Sequence, residues 1–127
     1  MYRSLLLGVT AFVEMATGIA LLASPATPLS LLLGVGEPSL EAYILARLAG
    51  AALLSIGVNC WMVRNVGPGP ATVATLVGLL IYNVGAAAIL GHAGLVSPTV
   101  GPVLWPAVGL HTVLAVWCVL CLWEKSP

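Results

Sequence analysis

Residues 71–92 read ATVATLVGLLIYNVGAAAILGH, an apolar run with no formal charge and one strongly polar side chain, Asn83, near its middle. At about 1.5 Å per helical residue, such a run is long enough for the ~30 Å hydrocarbon core of a bilayer. Three further runs share the plan: residues 4–24 carry Glu14, residues 41–63 carry Arg47, and residues 103–123 carry His111. A lone ionisable group in hydrocarbon costs about 2.5–3.5 kcal/mol on insertion scales. Four strongly polar groups, one per helix, are expected to face one another. The predicted fold is all-α: an integral membrane four-helix up-down bundle forming a single domain over residues 1–127.

Proline supports these boundaries, because it lacks an N–H and clashes with the preceding helical turn. Pro25, Pro28, Pro38, Pro68, Pro70, Pro98, Pro102, Pro106 and Pro127 all fall in connections, in first helical turns or at the terminus. The first connection, residues 24–40, is longer than the others. Between Thr27 and Gly34 it has a helix-start signal, an apolar turn and a glycine stop. Too short to span, it predicts a brief interfacial or re-entrant helix between the first and second runs.

Of the 127 residues, 61% are hydrophobic and 6% charged. A soluble domain carries about a quarter charged residues, so water-soluble folding is excluded. Arg3, Glu14, Glu37, Glu41, Arg47, Arg64, Glu124 and Lys125 sum to zero. There is no basic patch, so neither nucleic acid nor anionic lipid is expected to be recognised through charge. The partner that composition implies is the bilayer itself. No soluble catalytic module fits in the remaining length, and neither a catalytic set nor a metal site is expected. Residues 1–22 could be misread as a secretory signal; Glu14 interrupts the apolar core, and the segment reads as a retained first helix.

With the N-terminus inside, Arg3, Arg64 and Lys125 all lie on the cytoplasmic side, and the outer connections hold no Lys or Arg. The positive-inside rule then puts both termini in the cytoplasm. Tyr2, Trp61 and Trp123 would form an inner aromatic belt, with Tyr43 and Trp105 at the outer interface. Small residues recur at four-residue spacing in Ala16/Ala20, Ala46/Gly50, Ala51/Ser55, Ala74/Gly78 and Ala87/Gly91. Such pairs either let helix backbones approach or simply reflect an Ala- and Gly-rich membrane composition.

Glu14 should sit about 15 Å and Asn83 about 18 Å from the inner ends of their helices, while Arg47 and His111 descend roughly 9 and 12 Å from the outside. A cluster is geometrically allowed, with the long Arg47 stem covering the remaining offset. Glu14 and Arg47 are expected to pair as carboxylate and guanidinium. Asn83 can donate and accept, and His111 can exchange a proton near neutral pH. Tyr82 and Trp105 are candidate walls. The candidate ligand-binding set is Glu14, Arg47, Tyr82, Asn83, Trp105 and His111; the alternative is that these groups only fasten helices together. His111, Ala115, Cys118 and Leu122 share one face of the last run, as a cavity or a packing seam.

Cys118 and Cys121 form a C-x-x-C within an apolar helix, with Cys60 at similar depth. C-x-x-C signals redox or metal chemistry where it opens a helix at an exposed, electropositive place. Here the three are expected to pack as small hydrophobes. Haem ligation would require His92 and His111 at matched heights.

Three families offer comparisons. Glu14 with Gly18, then LLASPATPLSLLLG (residues 21–34), ARLAGAALLSIGVNCWMVR (46–64), LLIYN (79–83) and GPVLWPAVGLHTVLAVW (101–117), resemble small DoxX-like four-helix bacterial membrane proteins. That resemblance covers nearly the whole chain. It implies a multi-pass protein of the bacterial inner membrane, in a group that includes subunits linked to quinone-dependent sulfur oxidation. It touches Glu14, Arg47, Asn83 and His111 and implies no particular reaction. A glutamate near position 14 of a four-helix chain also resembles the small multidrug resistance transporters, which exchange protons for cationic drugs within a dimer. The chain lacks that family's aromatic-rich cation surroundings, and Arg47, if it neutralises Glu14, also sets this second likeness lower. The vitamin K epoxide reductases also place an intramembrane C-x-x-C beside a quinone, but they need a further loop-borne cysteine pair, and only Cys60 remains here.

The expected function is a non-enzymatic or accessory bundle holding a lipophilic or quinone-like molecule, or a lipid, at the polar centre. Two other classes stay open: a proton-coupled small-molecule transporter, usually a homodimer, and a structural subunit of a larger membrane complex.

Overall fold

In the computed structural model, residues 2–123 are described and fold into five helices, with no strand among them. They are α1 (Tyr2–Ala23), α2 (Ala26–Leu33), α3 (Leu40–Val63), α4 (Pro70–Val96) and α5 (Leu104–Trp123). All except α2 are long and apolar enough to cross a membrane. The chain is a multi-pass membrane protein. Lys125, used above for orientation, and Glu124 lie outside the described residues.

Local chemistry sets the boundaries. The Ser39 side chain accepts a hydrogen bond from the Ala42 N–H and caps α3. Pro70 opens α4 at a position where a missing N–H is harmless. The expected short helix is α2; it ends at Gly34, whose φ of 69° suits a residue without a Cβ. The loop before α5 docks on α2, with the Gly101 and Val103 N–H groups donating to the Leu32 and Leu31 carbonyls. A Cβ at Gly101 would strike the Leu31 carbonyl, so the close approach depends on glycine. The sequence placed the end of the third span at residue 92, whereas α4 continues to Val96. Gly91 and Gly94 do not stop it, because α5 packs against them through Val108, Leu104 and Trp105.

The spanning helices form a ring in the order α1, α3, α4, α5, each antiparallel to its neighbours, with the closest packing within the pairs α1/α3 and α4/α5. In the first pair the backbones nearly touch. A Cβ on Gly18 would lie 2.7 Å from the Gly50 carbonyl oxygen, and one on Gly57 would lie 2.9 Å from the Met15 nitrogen. Lipid tails are as apolar as side chains, so this van der Waals contact, not water exclusion, holds the pair. Of the small-residue pairs marked in the sequence, only Ala46/Gly50 is buried at both positions.

The molecule is inside out by soluble standards. Phe12, Leu45, Ile81, Ile89 and Val113 face outward, while Thr10, Glu14, Thr72 and Asn83 are buried. An apolar core of Leu6, Leu7, Ala11, Cys60, Leu76, Leu79, Leu114, Cys118 and Cys121 fills the half of the bundle where α1 begins. The stripe through Ala115 and Cys118 is thus a packing seam. The three cysteines are buried and form no disulfide.

Candidate functional site

A polar cluster crosses the bundle where this apolar core ends. Glu14 enters from α1, Tyr82 and Asn83 from α4, and His111 from α5. Glu14 is 1% exposed and Asn83 fully buried. The Tyr82 hydroxyl donates to Glu14 Oε2 at 3.2 Å, reaching across the ring from α4 to α1. The edge of one ring meets the face of the other between Tyr82 and His111, with centroids 5.5 Å apart and planes at 88°. Asn83 Nδ2 donates to the Leu79 carbonyl at 2.8 Å, one turn back along α4. Its Oδ1 therefore faces His111 Nδ1, also at 2.8 Å, and only an Nδ1–H can complete that bond. The Nε2 of His111 keeps its capacity to bond something else.

Satisfaction is incomplete. Glu14 Oε1 and Thr10 Oγ1 are buried and have no hydrogen-bond partner among the described residues. Thr10 and Glu14 are one helical turn apart, so both orphan atoms project from the same side of α1. Each unpaired buried polar atom costs about 1–3 kcal/mol. A cluster that served only to fix helix register would gain by closing these gaps.

A groove of about 620 Å³ opens between α3 and α4, one of the two sparsely packed edges of the ring, and ends at Tyr82. Ser55 and Asn59 line it from α3, and Thr75 and Gly78 from α4. The Asn59 amide donates to Thr75 Oγ1 at 3.2 Å across the gap. An apolar groove with a few hydroxyl and amide groups suits a small amphiphile, and its volume falls within the roughly 300–1,000 Å³ usual for ligand sites. Tyr82 joins the two features, since it lines the groove while its hydroxyl holds Glu14.

Glu14, Tyr82, Asn83 and His111 come together as expected, but Arg47 and Trp105 do not. Arg47 is exposed and makes no ion pair among the described residues, so the Glu14–Arg47 bridge is corrected. The glycine contacts show why: Gly57 packs on Met15 and Ala11, and Gly18 on Gly50 and Leu54. This register sets Glu14 level with the stretch from Leu54 to Gly57 and leaves Arg47 about 13 Å farther along the axis. Arg47 also follows the inward-facing Ala46 by one residue, a rotation of about 100° away from the centre. Trp105 sits about 9 Å beyond His111 along α5, where its ring covers Gly94. The His92 side chain is exposed, well removed from the level of His111.

Thr10, Ser55, Asn59 and Thr75 were not among the residues expected from the sequence, where each apolar run stood out by a single polar group. Thr10 carried a signal, its spacing of four from Glu14. Asn59 stands four residues before the end of α3, in the same run as Arg47.

No family model matches the chain, and neither the curated proteins nor the solved structures compared with it give a match.

Proposed function

We propose that this protein holds a small lipophilic molecule bearing a polar head, quinone-like or lipid-like, in the groove between α3 and α4 with its head at Tyr82. The observation that carries the reading is the junction at Tyr82, where a groove open to the acyl chains meets a buried, incompletely satisfied polar cluster. Ser55, Asn59 and Thr75 line the path, and His111 Nε2 offers a further hydrogen bond to a head group that displaces the Tyr82 ring. Binding of this kind needs no catalytic group. It fits a DoxX-like accessory protein of the bacterial inner membrane with both termini in the cytoplasm, the assignment that the sequence resemblance and the positions of Arg3 and Arg64 favour.

The test is mass spectrometry of small molecules released from gently purified protein. A lipophilic compound should copurify with the wild type and be lost from Gly78→Phe, which fills the groove from a position with nothing within 4 Å. Equal recovery from the two proteins would remove the groove from the proposal.

One observation favours a second reading. Because Arg47 points away, Glu14 has no cationic partner among the described residues, which lifts one of the two objections to a proton exchanger of the small multidrug resistance type; the lack of that family's aromatic-rich cation surroundings stands. In that reading Glu14 alternates between a proton and a cationic substrate, and two copies assemble. Ligand binding would then depend on pH and lose that dependence in Glu14→Gln. The groove-bound amphiphile ranks first because Tyr82 occupies the approach to Glu14 from the groove.

A further inference from the structure

A second opening of about 660 Å³ lies between α1 and α3 at the end of the bundle where α1 begins. Its flank is apolar. Gly8 has nothing within 4 Å of where a Cβ would stand, and Phe12 is 72% exposed beside it. Its head is polar and differs in kind from the α3/α4 groove. The Arg64 guanidinium stacks on the Trp61 ring, 3.2 Å from the centroid, which holds an otherwise flexible cation in place. Ser4 donates to Asn65 Oδ1 at 3.4 Å, so the Asn65 amide nitrogen keeps its donors for another acceptor. Among the described residues Arg64 makes no ion pair and no carboxylate lines the opening.

We propose that this opening binds one anionic phospholipid, with its phosphate on Arg64 and Asn65 and an acyl chain along Gly8 and Phe12. The lining offers a fixed positive charge and free N–H donors at one end and carbon along the other, which is the complement of a phosphate head and its chain. A zwitterionic head would bring a cation for which the described lining holds no acidic group. The depth also fits, since Arg64 and Trp61 stand at the end of a span, where head groups lie. Net charge argues against a diffuse basic surface; a single oriented guanidinium needs none.

The full chain, purified in mild detergent, would be titrated with phosphatidylglycerol or phosphatidylcholine and the bound lipid counted by native mass spectrometry. The wild type should prefer phosphatidylglycerol, and Arg64→Gln should weaken its retention about tenfold, as expected for a lost charge-assisted contact. Arg47→Gln removes the same charge at an exposed site away from the opening and should change nothing. Gly8→Leu fills the flank and should reduce phosphatidylglycerol retention with the head intact. Equal retention of the two lipids by the wild type, equal losses in Arg64→Gln and Arg47→Gln, or undiminished retention in Gly8→Leu would each overturn the assignment.

Discussion

His111 Nδ1 stands 2.8 Å from Asn83 Oδ1, and the Asn83 amide is fixed the other way round by its bond to the Leu79 carbonyl. The asparagine therefore dictates which nitrogen of the imidazole bears hydrogen. Nitrogen-15 spectra of the His111 ring should show protonation at Nδ1 in the wild type and a mixed population in Asn83→Leu. The same substitution should cost about 0.6 kcal/mol, and no more than about 1.7, in unfolding from detergent, the average and the maximum for interhelical hydrogen bonds in a membrane protein. An unchanged ring spectrum in Asn83→Leu would show that the contact does not select the tautomer.

Tyr82 gives Glu14 its one side-chain hydrogen bond among the described residues, and removing that hydroxyl should be harmful only while the carboxyl is present. Tyr82→Phe leaves both Glu14 oxygens unpaired and should destabilise the protein by about 1–3 kcal/mol. Glu14→Met exchanges an unsatisfied buried carboxyl for apolar volume and should raise the melting temperature in detergent. In the double variant the Tyr82→Phe penalty should largely vanish. A penalty that persists there would assign the loss to packing of the ring, and the hydrogen bond would drop out of the account.

The fold could be read from the sequence because the signals were local. Apolar runs of span length, proline positions and the glycine stop at residue 34 fixed the four spans and the short helix between the first two. Asn83 and His111 were legible as members of one cluster because each is a polar group near the middle of an apolar run; the bond between them was not. Arg47 was not. Its height relative to Glu14 depends on how far α1 slides along α3, which the contacts at Gly18, Gly50 and Gly57 decide, and its facing changes by about 100° with each residue. The groove was illegible for a related reason, since a gap between helices is a property of their separation and leaves no trace in either helix alone.

Arg47, exposed and without an ion pair among the described residues, should be dispensable for stability. Arg47→Leu is expected to leave unfolding within about 0.5 kcal/mol of the wild type, as for surface positions in general, or to raise stability where the side chain meets acyl chains. Thermal melts of Arg47→Leu and Glu14→Met in one detergent make the comparison. A large loss in Arg47→Leu would revive the ion pair that the register of α1 on α3 denies.

That register itself can be probed at Gly18. An alanine there would put its Cβ 2.7 Å from the Gly50 carbonyl oxygen and 2.8 Å from the Leu54 nitrogen, backbone atoms that a rotamer change cannot clear. The two helices must separate, which forfeits contact along the whole α1/α3 seam. Overpacking of this kind typically costs about 1–3 kcal/mol. Gly109→Ala is the matched control, because nothing lies within 4 Å of its Cβ position. Gly18→Ala should melt well below the wild type while Gly109→Ala melts with it or slightly above, since alanine is the better helix former. Because the seam also sets the height of Glu14, Gly18→Ala should in addition loosen the Tyr82–Glu14 bond, and adding Tyr82→Phe to it should then cost less than in the wild type. Strict additivity of the two substitutions would mean that the seam and the polar cluster are mechanically independent.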